Sequence, residues 1–69
     1  MLDYKEWNET VPKLLGKKIR ITCTDDEVYN TTCDYISEAE DDEGCNLPVI
    51  VTPFFEFDRT DVKKIEFLD

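Results

Sequence analysis

The chain has 69 residues, 41% of them hydrophobic, and its 17 acidic and 8 basic side chains give a net charge of −9. A domain of this size buries only about 60% of the surface that its unfolded chain exposes, which leaves little room for a large catalytic cavity. The composition is nevertheless that of a folded protein and not of a disordered one. Its apolar runs are shorter than the roughly 20 residues of a membrane helix and its start does not resemble a signal peptide, so we expect a cytoplasmic protein without a membrane contact.

The first predicted element is a short helix over about residues 3–11. Asp3 is placed to cap it, Glu6 follows three residues later as in a capping box, and Tyr4, Trp7 and Val11 recur at helical spacing before Pro12. An apolar stripe on a helix in so short a chain packs into the core, although a partner-binding face is the alternative. The next segment is expected to cover one end of the core with Leu14 and Leu15 before Gly16 ends the turn.

After Gly16 the hydrophobic period changes from 3.6 to 2, which is typical of strands with one buried face. Turn residues and proline divide the remaining chain into five predicted strands, over about residues 17–24, 28–36, 47–52, 54–58 and 63–68. The whole chain, residues 1–69, is therefore predicted to form one mainly β domain, a five-stranded small barrel with one N-terminal helix.

The three cysteines do not follow the spacing of a metal site or a disulfide framework. They lie ten and twelve residues apart, no C-x-x-C pair occurs, and the chain has no histidine. We expect Cys23 and Cys33 to be buried strand residues and Cys45 to lie near a loop.

The segment SEAEDDEG, residues 37–44, is the most acidic part of the chain and is predicted to be a loop between strands. Its ligand positions do not match a calcium loop, so no metal is expected. The loop is either a solvated hairpin tip or a contact surface for a basic protein partner. Under the second interpretation the candidate residues are Glu38, Glu40, Asp41, Asp42 and Glu43.

The chain contains few of the side chains on which enzymes usually rely for catalysis. The chain has no histidine, a single serine and only two glycines, which argues against a catalytic triad or a phosphate-binding loop. A cysteine nucleophile would lack an imidazole to activate it. The sequence therefore predicts a protein that is not an enzyme and needs no cofactor.

Two segments carry the apolar pattern of a known family. The first segment begins with a glycine, a lysine and alternating aliphatic residues, and an acidic turn then leads to a strand with small and aromatic residues: Gly16, Lys17, Ile19, Ile21, Asp25, Asp26, Thr31, Cys33 and Tyr35. The second segment, near the end, has aliphatic residues at the spacing x-V-x-x-I-x-x-L: Val62, Ile65 and Leu68. Residues 14–68 thus resemble the Sm-like small barrels, which are SH3-like in fold, and other SH3-like barrels are the near alternatives. The resemblance implies a barrel fold, RNA binding and assembly of subunits through the fourth and fifth strands.

The signature by which Sm-like proteins bind RNA is largely replaced. Only Asn46 can be compared with the family's loop asparagine, and Asp58 and Arg59 stand where an Arg-Gly pair is expected. A protein that grips nucleic acid neutralises roughly 6 to 10 phosphates, whereas here eight basic residues are scattered among 17 acids. Both observations argue against RNA binding.

Two functions are compatible with the sequence. The first is a non-catalytic module that binds another protein, one of basic character in particular, through the acidic loop or through the aromatic residues of the fourth strand, Phe54, Phe55 and Phe57. The alternative is a divergent Sm-like RNA-binding protein. The exposed edge of the fourth strand further predicts some self-association, which the net charge opposes.

Overall fold

A computed structural model describes residues 1–68 and has a mainly β architecture with one N-terminal α-helix, as predicted. Helix α1 spans Tyr4–Thr10 and continues into a 3-10 helix, Val11–Leu14. A second 3-10 helix, Arg59–Asp61, precedes the last strand. The six strands are β1 Lys18–Cys23, β2 Val28–Thr32, β3 Tyr35–Glu40, β4 Asn46–Val51, β5 Glu56–Phe57 and β6 Val62–Phe67.

The strands form two antiparallel sheets of three strands each. The first has the order β2-β1-β6 and the second the order β3-β4-β5. The prediction of five strands closed into one barrel is wrong in this respect: six strands are present, and no described strand pair joins the two sheets by hydrogen bonds.

The additional strand arises because the predicted strand 28–36 is divided at Cys33 and Asp34. Cys33 forms a parallel bridge with Leu15: its N–H donates to the carbonyl of Lys17 at 3.1 Å, and the N–H of Gly16 donates to its carbonyl at 2.9 Å. The N–H of Asp34 donates instead to the carbonyl of Val51, 2.8 Å away in the second sheet. The chain thus changes sheets between these two residues, and each half of the predicted strand pairs with a different neighbour.

The predicted strand 54–58 is shorter than expected, because a tight turn occupies its first half. The hydroxyl of Thr52 donates to the carbonyl of Phe55 at 2.8 Å and accepts its N–H at 3.2 Å. Pro53 follows Thr52 and has no N–H for a ladder. Only Glu56 and Phe57 remain to pair with β4.

The N-terminal helix is positioned by its cap and by its buried face. The carboxylate of Asp3 accepts the N–H of Glu6 at 2.8 Å, and Trp7, Val11 and Leu14 are fully buried. Leu15 departs from the prediction, since 55% of it is exposed. None of the helices in residues 1–68 has the length and the apolar character needed to cross a membrane.

The core lies between the helix and the two sheets. Its cluster of buried residues consists of Trp7, Val11, Leu14, Ile19, Ile21, Cys23, Cys33, Ile50, Phe57 and Val62. The predicted burial of Cys23 and Cys33 is therefore confirmed, and Cys45 is exposed. In strand β4, Val49 and Val51 are buried, and Ile50 between them is buried as well.

Candidate functional site

The acidic segment is largely strand rather than loop. Strand β3 continues to Glu40 and pairs with the start of β4, with Glu38 opposite Pro48 and Glu40 opposite Asn46. Only the five residues from Asp41 to Cys45 form the connection. The prediction of a loop over residues 37–44 is therefore wrong for its first half, because the cross-strand ladder extends into the acidic run.

Asp41 holds this connection together and differs in role from its acidic neighbours. One carboxylate oxygen, Oδ1, accepts the N–H groups of Glu43 at 2.9 Å and of Cys45 at 2.8 Å. The backbone of Asp41 also exchanges hydrogen bonds with Gly44 and Cys45, and Gly44 has the positive φ of 83° that such a turn requires. Among the candidate acids, Asp41 is thus a structural residue, while Glu38, Glu40, Asp42 and Glu43 are exposed.

Tyr4 and Arg59 connect the acidic turn to the helix and to the second 3-10 helix. The hydroxyl of Tyr4 donates to Asp41 Oδ2 at 3.2 Å, and the guanidinium carbon of Arg59 lies 4.0 Å from the centre of the Tyr4 ring. Arg59 Nη1 donates to the carbonyl of Leu2 at 2.9 Å. Burial, the nearby charge of Glu43 and the hydrogen bond to Asp41 all raise the pKa of Tyr4. The sequence analysis placed Tyr4 on the apolar stripe of the helix, whereas 39% of this residue is exposed.

These contacts border a cleft with a volume of about 320 Å³. Five carboxylates and one guanidinium line it, together with the Tyr4 ring and an apolar portion; the lining residues are Tyr4, Ala39, Glu40, Asp41, Asp42, Glu43, Leu47, Pro48, Asp58, Arg59 and Thr60. The ion pairs found among the described residues are Lys63–Asp26 and Lys64–Glu66, neither of which involves the cleft. The cleft therefore suits a cation on an aliphatic stem.

The residues compared with the RNA-binding signature are only partly brought together. Asp58 caps the second 3-10 helix reciprocally with Asp61. Asp58 and Arg59 line the cleft, whereas Asn46, at the start of β4, is not among its lining residues. The guanidinium of Arg59 is engaged by Tyr4 and Leu2, and its Nε is buried with no hydrogen-bond partner among the described residues.

The three phenylalanines have different environments. Phe54, at the tip of the Thr52–Phe55 turn, is 87% exposed, Phe55 is half exposed and Phe57 is buried. The rings of Phe55 and Phe57 lie 5.1 and 5.5 Å from the ring of Tyr29, centre to centre, and 6.1 Å from each other. Of these three residues of the predicted fourth strand, Phe54 and Phe55 thus offer a substantial exposed apolar surface. No group of cysteine, aspartate and glutamate side chains within residues 1–68 has the geometry of a metal site.

The role of Asp41 gives a pH-dependent prediction. The hydrogen bond from Cys45 N–H, followed by those from Glu43 N–H and Tyr4, lowers the pKa of this carboxyl against an opposing effect of burial. A carboxyl whose folded pKa is depressed adds stability above its unfolded pKa, about 3.9, and loses it as the pH falls through the folded value. We therefore expect D41N to be less stable than the wild type at pH 7 and the difference to shrink below about pH 4.

Urea unfolding between pH 7 and pH 3 measures this difference. The control is D42N, since Asp42 is exposed and adjacent but accepts none of the hydrogen bonds of the turn described above. A D41N deficit that stays constant over the whole pH range would contradict the structural role of the Asp41 charge.

Comparisons of the chain with protein-family models, with curated proteins and with solved structures found no match.

Proposed function

We propose that the protein is a non-catalytic interaction module whose acidic cleft binds a basic segment of another protein. The observation that carries this proposal is the lining of the cleft, where five carboxylates face one guanidinium. Arg59 is already held by Tyr4 and Leu2, so the negative charge of the wall formed by Glu40, Asp42 and Glu43 is left for a partner. Leu47 and Pro48 supply apolar surface for the stem of a lysine or arginine.

We also propose that the two sheets are the halves of an Sm-like small barrel. The proposal is supported by the passage of the chain from the first sheet to the second at Cys33 and Asp34, as though one bent strand served both. β1 is the central strand of the first sheet and β4 is the central strand of the second, which fits two halves of one barrel. Under this interpretation β2 and β3 together represent the second strand of the family's fold.

RNA binding is the alternative function, and the electrostatics of the cleft oppose it. A phosphate near Arg59 would also lie near Asp58 and the acidic turn, which line the same cleft. Like charges at such separations repel, and the repulsion acts on the approach of the polyanion as well as on the complex. The experiment below includes RNA so that this alternative is tested directly.

The acidic wall should act mainly on the rate of association with a basic ligand. We expect the variant D42N/E43Q to bind a hexa-arginine peptide with an association rate constant about threefold to tenfold lower than the wild type at low salt, because exposed charges steer encounter. The effect should largely disappear at about 0.5 M salt, where the Debye length is only a few Å. Stopped-flow measurements with a dye-labelled peptide provide both rate constants.

The matched control is E9Q/D34N, which also removes two exposed negative charges but outside the cleft. Hexaglutamate and a ten-nucleotide oligouridylate test the ligand class. Equal association rates for the two double variants at both salts would refute the role of the cleft. Tighter binding of the oligouridylate than of hexa-arginine would favour the RNA-binding alternative.

Shortening the acidic segment is a less suitable test. Glu38, Ala39 and Glu40 are paired with β4, so their removal would delete part of the second sheet together with the charges. The charge-neutralising variants keep the ladder and the Asp41 turn.

A further inference from the structure

A second concave surface lies beside the rings of Tyr29, Phe55 and Phe57. It is a notch of about 210 Å³ that Tyr29 and Phe57 line together with the carboxylates of Asp25, Glu56 and Asp61, and Cys23 contributes to it. Phe55 stands next to this notch, since its ring contacts both lining rings. Aromatic rings and carboxylates thus meet in one place.

The three rings pack against one another in tilted arrangements. Their planes are tilted by 50° to 56° from one another. The backbone of Phe55 is held by two hydrogen bonds with the hydroxyl of Thr52, and half of the residue is exposed. The face of an aromatic ring attracts a cation through its quadrupole, and a guanidinium can also stack on it.

The electrostatic environment of the notch is negative. Burial first, and then the charges of Asp25, Asp61 and Glu27, raise the pKa of the Cys23 thiol. Burial and the charges of Glu27 and Asp25 also raise the pKa of Tyr29. No lysine or arginine is among the described residues that line the notch, and Lys63 is paired with Asp26, which does not line it either.

We propose that this notch binds an arginine side chain of a protein partner, with the guanidinium against Phe55 and Tyr29 and within reach of Glu56 and Asp61. Arginine fits better than lysine because its planar group stacks on a ring and forms two parallel hydrogen bonds with a carboxylate. The proposal rests on the proposed function only in taking the partner to be basic, and it concerns a different surface from the cleft.

The notch and the cleft share one segment of the chain. Glu56, Phe57 and Asp61 line the notch, whereas Asp58, Arg59 and Thr60 line the cleft. A basic segment that crosses residues 56–61 could place one side chain in each. The two sites are nevertheless separable by mutation, because no residue lines both.

The test uses a peptide with a single charged side chain, acetyl-Gly-Arg-Gly-amide, and NMR titration of the complete protein. Its counterparts with lysine and with citrulline, the neutral analogue of arginine, measure the contributions of planarity and charge. We expect saturable shifts at Tyr29, Phe55 and Glu56, upfield shifts of the arginine methylene protons from the ring currents, and binding about fivefold weaker for the citrulline peptide.

The variants F55L and E56Q should each raise the Kd of the arginine peptide about threefold, the size expected for an exposed cation–π contact or ion pair. F54L is the matched control, since Phe54 is adjacent and more exposed but lies outside the ring contacts described above, and it should leave the Kd unchanged. The one-dimensional spectrum of each variant verifies that it folds.

Three results would overturn the proposal. The first is equal Kd values for F55L and F54L, and the second is equal binding of the arginine and citrulline peptides. The third is a set of shifts confined to the acidic turn, which would support the cleft while refuting the notch. Conversely, unchanged shifts at Tyr29 and Phe55 in D42N/E43Q, together with unchanged association rates in the peptide experiment above, would support the notch while refuting the cleft.

Discussion

Replacing Trp7 with alanine is expected to lower the free energy of unfolding by about 3 to 5 kcal/mol, the range for loss of a large buried aromatic side chain. Trp7 heads the fully buried side chains in volume, and its indole Nε1 donates to the carbonyl of Pro48 at 2.8 Å. It therefore joins the helix to the second sheet by packing and by a hydrogen bond. A domain of 69 residues has a total stability of only roughly 3 to 10 kcal/mol, so W7A should be substantially unfolded at 37 °C.

Urea unfolding followed by circular dichroism measures this effect, since the only tryptophan fluorophore is lost in the variant. The control is W7F, which keeps an aromatic ring but removes the donor to Pro48, and it should cost about 1 to 3 kcal/mol. If W7A were no less stable than W7F, the packing of the indole would not be the dominant contribution.

The second large effect is expected for Ile21, which lies in the middle of the first sheet. Strand β1 is the central strand, and Ile21 is opposite Tyr29 on one neighbour and Ile65 on the other. Its side chain is fully buried. We expect I21A to lower the free energy of unfolding by about 2 to 5 kcal/mol through lost transfer energy and a cavity. The melting temperature should then fall by at least about 8 °C.

Val28 provides the matched control for this measurement. It is also a β-branched residue of the first sheet, but it begins an edge strand and is 51% exposed. V28A should change the stability by about 0.5 kcal/mol. An I21A variant that melts within about a degree or two of the wild type would show that the core has been assigned to the wrong face of β1.

The parts of the fold that the sequence predicts well are those with a clear period or a clear stop. Asp3, Trp7 and Pro12 marked the helix because a cap, a buried face and a break are local features. Strand β1 followed from the alternation of Ile19, Ile21 and Cys23, all of which are buried. In both cases neighbouring residues alone determine the outcome.

The features that were missed depend on residues distant in the chain. The division of the strand at Cys33 and Asp34 results from pairing with Gly16, Lys17 and Val51, and nothing in the local pattern indicates it. The shortening of β5 is the exception, because it results from hydrogen bonds between the Thr52 hydroxyl and the backbone of Phe55, only three positions away. A period of 2 cannot distinguish one bent strand from two strands in different sheets.

The candidate site was only partly predictable, because its composition is visible in the sequence but its hydrogen bonds and ring contacts are not. Composition located the acidic segment, but the different role of Asp41 required the geometry of its hydrogen bonds to Glu43 and Cys45. Tyr4 and Arg59 are 55 positions apart in the chain, so their contact could not be inferred from spacing. Nor could the sequence indicate that Phe57 is buried while Phe54, three positions earlier, is exposed.

The strand order of the first sheet has a consequence for how the chain folds. Strand β1 begins at Lys18, and its partner β6 begins only at Val62, whereas β1 with β2 and β3 with β4 are joined by short turns. Closing a long loop costs more entropy than closing a short one, and non-local pairing slows folding. We expect the two hairpins to form early and the docking of β6 to complete the structure last. Until β6 docks, the backbone N–H and C=O groups along one edge of β1 would remain without their strand partners.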